Sequence, residues 1–314
     1  MRGILRWPFS RWAAQGGRLS VSVWGDTDRG NVRSNNEDCF VALEGKDSPP
    51  GVDALLLVAD GMGGHTAGET ASRLAVEGTV RAIAESGEDA ASLNRSSYSS
   101  LLRSLIQKVN KEVHDAAQIP DRHGMGTTCT LAVIRNGEAF LAHVGDSRAY
   151  LLSNGELKQI TTDHSWVEEA VSQGMLTRDE ARTHANRNVI TRAVGLEPET
   201  EVDSFVVSLA KDDLLLLCSD GLNSMIPDDE IGRILKGNDL SQVGQDLIAA
   251  ANSQGGQDNI TVVLARVAPV QEHGNVAPGD QNTDEVNANL ETQEMNDFSP
   301  MWKTMVGRVL NRRV

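Results

Sequence analysis

Two short runs of this chain are almost wholly apolar and stop at the same dipeptide. ALLLVA at 54–59 runs into Asp60-Gly61, and LLLLCS at 214–219 runs into Asp220-Gly221. A run of this length bounded by turn residues is the pattern of a strand buried on both faces. Such a strand lies inside a sheet that is covered on both sides, so the chain has to build layers, and the charge falls where the core meets solvent. The theme recurs. Asp258, in GGQDN, precedes the apolar run at 259–267, and Asp146 sits between two further strands in VGDSR. One aspartate beside glycine is an ordinary turn. Four of them, on strands expected to lie side by side, crowd negative charge at one sheet edge, and they repel one another unless cations lie between them.

The rest of the chain fits a layered α+β domain. SVSVW at 20–24 alternates as a strand does, and GDTDRGN at 25–31 reads as a turn. Asn136-Gly137 and Asn154-Gly155 are two-residue hairpin signals. They join 126–134 to 138–144 and 147–153 to 156–161, so antiparallel pairing is expected. A further alternating strand spans 201–209. Apolar spacing predicts helices over 70–85, 99–117, 227–235 and 239–252. Residues 163–187, with His164 and His184, read as polar and helical, and both histidines as making local hydrogen bonds or touching solvent.

The formal net charge of −15 argues against a nucleic-acid partner, which calls for a basic footprint. The two ends are nevertheless basic. Arg2, Arg6, Arg11 and Arg18 occur in 1–20 without an acid, and Lys303, Arg308, Arg312 and Arg313 in 299–314 likewise. Between the apolar body and the second basic end, 268–298 holds seven acids and no lysine or arginine, the composition of a disordered linker. In 301–314, Trp302, Met305, Val306, Val309 and Leu310 follow helical spacing among basic residues. This predicts a basic amphipathic helix, read either as docked on the acidic body or as a peripheral anchor to a membrane or protein partner. No run of about 18 apolar residues offers a spanning helix, and the N-terminal segment lacks a secretory apolar core. A cytoplasmic protein is expected, with peripheral attachment to the inner face of the membrane as its one link to a bilayer. Cys39, Cys129 and Cys218 are scattered, without metal-ligand spacing, and read as reduced thiols.

Clustered aspartates without a Cys/His group select hard cations, Mg²⁺ or Mn²⁺. RSNNEDCF at 33–40 reads as a polar turn and adds a guanidinium, Arg33, with the adjacent carboxylates Glu37 and Asp38. Together these supply what a two-metal phosphate hydrolase needs: ions that lower the pKa of a shared water, and an arginine that clamps phosphate oxygens.

Eight blocks carry a resemblance: VRSNNED at 32–38, LLLVADGMGGHTAGE at 55–69, GTT at 126–128, HVGDSRAY at 143–150, TDHS at 162–165, NVITRAVG at 188–195, LLLCSDGL at 215–222 and QDNITVV at 257–263. In this order the chain resembles the metal-dependent protein Ser/Thr phosphatases of type 2C, bacterial branch, over about 20–267. The resemblance implies an α/β/β/α sandwich, two antiparallel sheets flanked by helix pairs. It implies two Mn²⁺ or Mg²⁺ ions per site, with Asp60 bridging both and the Gly61 carbonyl on the first. Asp220 and Asp258 hold the second, with Glu37 near it. Asp38 orients water, Asp146 with Asp220 takes a third, weaker ion, and Arg33 clamps phosphate. Residues 163–190, including His164 and Ser165, match a flap beside the site. Met62 stands where eukaryotic members carry a histidine, which leaves the leaving-group acid unassigned, a water on the third ion being one candidate. His65 reads as a loop histidine, and Asp26 with Asp28 as a turn.

The expected domains are a basic extension at 1–19, a catalytic domain at 20–267, an acidic linker at 268–298 and a basic helix at 299–314. The expected activity is hydrolysis of phosphoserine and phosphothreonine in proteins, opposing a bacterial Ser/Thr kinase. Expected partners are phosphoproteins, that kinase among them, for a monomeric enzyme. A pseudophosphatase is the competing reading, but Asp60, Asp220, Asp258, Glu37 and Arg33 are all present. Aspartyl-nucleophile chemistry needs DxD, and Met62 and Leu222 occupy the third positions.

Overall fold

The computed structural model describes residues 19–64 and 66–269, and the strands within them form two antiparallel sheets. In chain order the strands are β1 (Leu19–Asp28), β2 (Asp38–Glu44), β3 (Ala54–Met62), β4 (Gly126–Thr127), β5 (Cys129–Arg135), β6 (Glu138–Val144), β7 (Arg148–Ser153), β8 (Glu156–Gln159), β9 (Asp203–Ser208), β10 (Leu214–Cys218) and β11 (Ile260–Pro269). The helices are α1 (Ala67–Ala91), α2 (Arg95–Ala117), α3 (Trp166–Ser172), α4 (Arg178–Thr183), α5 (Asp220–Asn223), α6 (Asp228–Ile234) and α7 (Leu240–Ser253). One sheet has the order β1-β11-β10-β7-β8. The other runs β2-β3-β5-β6-β9, with β4 beside β3.

The apolar runs occupy the sheet centres, and alternation sends their side chains into two different layers. Leu56, Val58, Leu215, Leu217 and Val263 fill the space between the sheets. Leu214, Leu216, Val262 and Leu264 face the other way and pack with Leu222, Ile231 and Leu247 of α5, α6 and α7. Leu55, Leu57, Leu131 and Val133 are equally buried, on the sheet that α1 and α2 cover. The result is the expected α/β/β/α sandwich. Both hairpin turns have the positive φ angles that a type I′ turn demands, 51° and 72° at Asn136-Gly137 and 52° and 82° at Asn154-Gly155.

Three readings need correction. Residues 25–28 are strand, not turn: Gly25 to Asp28 pair with Val263 to Ile260. Gly25 serves there because a Cβ would lie 2.7 Å from the Phe40 ring. The polar turn expected at 33–40 gives way to β2 from Asp38 onward. The helical stretch at 163–187 is two short helices, α3 and α4, each N-capped by a hydroxyl, Ser165 and Thr177. β1 begins at Leu19 and β11 ends at Pro269. His65, residues 1–18 and residues 270–314 lie outside the described residues, so the N-terminal extension, the linker and the basic helix are not described. No helix among the described residues is long and apolar enough to cross a membrane.

Candidate active site

The strand ends gather the predicted carboxylates. Asp38 and Asp60 are register partners on β2 and β3 of one sheet. Asp220 opens α5 directly after β10, Asp258 leads into β11, and Asp146 lies in the turn from β6 to β7. Burial pushes Asp60 well above the usual carboxylate range, and the charges of Asp38, Asp220, Asp146 and Asp258 push it further. Asp146 is raised in the same way, by burial and then by Asp220 and Asp163. Asp220 is pushed up to about 6 by burial and by the charge of Asp258, against the guanidinium of Arg33. Both Asp60 and Asp220 keep some surface open to solvent, although protein crowds around their carboxyls.

Asp38 ties the two sheets together. Its Oδ2 accepts from Ser219 Oγ at 2.7 Å and from Thr261 Oγ1 at 2.6 Å, groups that belong to the opposite sheet edge. Burial outweighs these bonds and lifts Asp38 to about 7. Its Oδ1 is buried without a partner, as is Oδ1 of Asp146. Arg33 donates to Asp258 Oδ2 at 2.6 Å, so the guanidinium is engaged by one of the carboxylates. Glu37 is raised by burial and by the charges of Asp258 and Glu69, against Arg33.

A frame of neutral groups aims these acids, and of its members sequence reasoning assigned a role to Gly61 alone. Thr128 Oγ1 accepts from the Asp60 amide at 2.9 Å, and Thr127 Oγ1 and the Thr128 amide donate to the Asp60 carbonyl, each at 2.9 Å. Asn259 accepts from the Glu37 amide at 2.7 Å and donates to the carbonyls of Arg29 and Asn35 at 2.9 Å, which pins the loop that carries Arg33. The Gly61 and Gly68 backbones nearly touch: a Cβ on Gly61 would lie 2.1 Å from the Gly68 carbonyl, and one on Gly68 2.8 Å from the Glu37 carboxyl carbon. All these groups fall inside the quoted blocks, so the signal was present. Their hydrogen-bond partners, however, are up to 230 positions away. Met62 pairs with Gly126 on β4. Of the expected flap residues, Ser165 caps α3 and bridges to Ile190, His164 is buried, and His184 stacks on Trp166 at 4.8 Å.

The donor set suits a hard divalent cation. Every candidate ligand is oxygen, two buried carboxylate oxygens lack partners, and burial with mutual repulsion raises Asp60 and Asp220, a strain that a proton or a cation relieves. Among the described residues no three acidic, histidine or cysteine side chains are already drawn into one cage. Mg²⁺-type ions keep several waters and do not require an all-protein cage.

A family model for protein phosphatase 2C matches residues 33–265. The chain belongs to the protein phosphatase 2C family. It is a protein phosphatase. It is 44% identical over 241 residues to the serine/threonine phosphatase stp of Listeria monocytogenes serovar 1/2a, which covers 76% of this chain and 92% of that one. Among solved structures it is similar to the S. agalactiae serine/threonine phosphatase, with a TM-score of 0.71 and 37% identity over 79% of this chain and 99% of that one. It is also similar to the catalytic domain of the phosphatase PstP in complex with 2 manganese ions, with a TM-score of 0.66 and 35% identity over 80% and 100% of the two chains.

Proposed function

We propose that this type 2C phosphatase hydrolyses phosphoserine and phosphothreonine in proteins with the help of Mn²⁺ or Mg²⁺, two ions per site and a third, weaker one. The observation that carries the reading is the gathering of Asp38, Asp60, Asp146, Asp220 and Asp258 at the strand ends, where burial and mutual repulsion raise Asp60 and Asp220. Asp60 and the Gly61 carbonyl would hold the first ion, Asp60, Asp220 and Asp258 the second with Glu37 beside it, and Asp146 with Asp220 the third. Bound there, divalent ions offset phosphate charge and lower the pKa of water. Asp38, fixed by Ser219 and Thr261, keeps an unpartnered oxygen that would accept from such a water. Arg33 exchanges Asp258 for the phosphoryl oxygens of the substrate, and its planar fork suits their spacing.

The named phosphatase relatives support phosphoproteins as substrates, and a bacterial Ser/Thr kinase is the enzyme that such an activity opposes. We place this chemistry in the cytoplasm. Residues 301–314 are read, from sequence alone, as a peripheral attachment to a membrane or a protein partner, which deletion of 268–314 and liposome pelleting would check. The deciding experiment is phosphate release from a phosphothreonine peptide with added Mn²⁺, with chelator, and with Asp60→Asn. Full release in chelator overturns the metal-dependent reading, and no release under any condition overturns the function.

A further inference from the structure

His164 is 2% exposed although it stands at the base of a surface segment. The Trp166 amide donates to the Val189 carbonyl and the Thr191 amide to the His164 carbonyl, both at 2.8 Å, with Ser165 bridging Ile190 between them. The flap therefore hangs from a two-stranded neck, 164–166 against 189–191. His164 makes a second pair of bonds to the turn that carries Asp146. Its own amide donates to the Gly145 carbonyl at 2.8 Å, and the Gly145 amide donates to His164 Nδ1 at 3.0 Å. Gly145 has little freedom to drift: its φ is +116°, and a Cβ would lie 2.6 Å from the Thr128 side chain.

That bond fixes the tautomer. An amide only donates, so Nδ1 must accept, and the proton of the neutral ring sits on Nε2. Nε2 lacks a partner of good hydrogen-bond geometry, and Asp203 Oδ2 faces it at 3.4 Å, an electrostatic contact. The other oxygen of Asp203 accepts from Arg192 at 3.1 Å, one residue beyond the neck. Asp203 opens β9 and pairs with His143 on β6. The His143 ring lies 4.7 Å from that of His164 and is held by Thr130 and the Thr162 carbonyl. Both arms of the neck thus converge on one carboxylate, and one of them is bonded to the backbone next to Asp146.

We propose that His164 is a positioning residue that couples the flap to the Asp146 turn, so that a shift of the flap is felt at that carboxylate and the reverse. The inference rests on the reading of Asp146 as part of the active site. It predicts a split between variants. His164→Leu removes both the acceptor for Gly145 and the dipole facing Asp203. His164→Asn keeps an acceptor at the Nδ1 position and loses the reach to Asp203.

The test is hydrogen–deuterium exchange on the full chain in chelator, followed by kinetics with Mn²⁺. His164→Leu is expected to raise exchange at 145–147 and in both arms of the neck, with the sheets unchanged. His164→Asn is expected to restore protection at 145–147 alone. With a phosphothreonine peptide, His164→Leu is expected to raise KM roughly tenfold, the scale of one lost hydrogen bond, with a smaller effect on kcat. In an Asp146→Asn background the same substitution is expected to have little further effect, the non-additivity of coupled sites. Unchanged exchange at 145–147, a uniform rise across the sandwich, or a full-sized effect in the Asp146→Asn background would overturn the proposal. If His164→Leu fails to fold, Asp203→Asn carries the test: it loosens the neck, and the loosening must reach 145–147 through His164, an unchanged turn refuting the coupling. If the wild-type chain releases no phosphate, the proposed function fails while the exchange measurements still decide the coupling.

Discussion

At the scale of single residues, the site trades stability for charge. Asp60 sits among Asp38, Asp220, Asp146 and Asp258, each of which makes its ionisation harder. Asp60→Asn removes that repulsion but leaves an amide that bridges cations poorly. The expected outcome is opposite in sign for the two properties. The rate of phosphate release falls on the order of a thousandfold, comparable with losing a principal electrostatic contributor, while the melting temperature in chelator holds or rises. Near-normal turnover by a folded Asp60→Asn protein would remove Asp60 from the centre of the chemistry. Thr128 tests the neutral frame. Thr128→Val keeps the shape and deletes the acceptor for the Asp60 amide, together with a bond to Ser147 Oγ at 2.7 Å. A loss of about 1–3 kcal/mol in denaturant titration is expected from a buried donor left unpaired, along with slower turnover because Asp60 is no longer held from behind. Unaltered values of both would mean that β4 and β5 do not position the carboxylate.

At the scale of elements, contact across layers decides what sequence propensity does not. Gly244 lies inside α7, where alanine would ordinarily be favoured by about 1 kcal/mol. A Cβ there would stand 1.9 Å from the Trp24 ring of β1, and a bulky indole cannot turn aside as a flexible chain end can. Gly244→Ala is therefore expected to lower stability by about 1–3 kcal/mol, the cost of overpacking. An unchanged or higher denaturation midpoint would show that Trp24 repacks freely. The same distinction explains which elements were legible. β3 and β10 announce themselves because burial on both faces writes a continuous apolar run, and the two Asn-Gly hairpins because only a few residues tolerate two successive positive φ angles. β2 and the end of β1 are hidden because aspartates interrupt their apolar pattern. Asp38 begins one of them, Asp26 and Asp28 lie in the other, and local composition there resembles a turn. Asp60, Asp146 and Asp220 could be picked out by their repeated place beside glycine at strand ends. Asn259, Thr127 and Thr128 could not, since what they do is defined by backbone groups far away in the chain.

At the scale of the whole molecule, the acidic sheet edge links stability, protonation and metal binding. In the metal-free protein, burial and mutual repulsion lift Asp38 to about 7 and hold Asp60 and Asp146 well above the ordinary 3.8. Between about 7 and 3.8 the folded chain keeps protons that the unfolded chain releases. These groups therefore favour folding more as pH falls through that window. His143 acts in the opposite sense. Burial lowers it from 6.5 to about 3, so below 6.5 the unfolded chain takes up a proton that the folded one refuses, and stability is lost as pH falls toward 3. Several acids act against one imidazole, so the melting temperature in chelator is expected to hold or rise between about pH 7.5 and about pH 5.5. Mn²⁺ needs the Asp60 and Asp146 oxygens deprotonated, and Asp38 free to accept from the water beside it, so by binding the folded state it stabilises by mass action and competes with those protons. At a fixed Mn²⁺ concentration, the rise in melting temperature over the chelator control is therefore expected to be large near pH 7.5 and to shrink markedly near pH 5.5. Scanning fluorimetry at the two pH values measures it directly. An increment that stays the same would mean that the ion and the protons do not share oxygens, and that Asp60 and Asp146 lie outside the metal's reach.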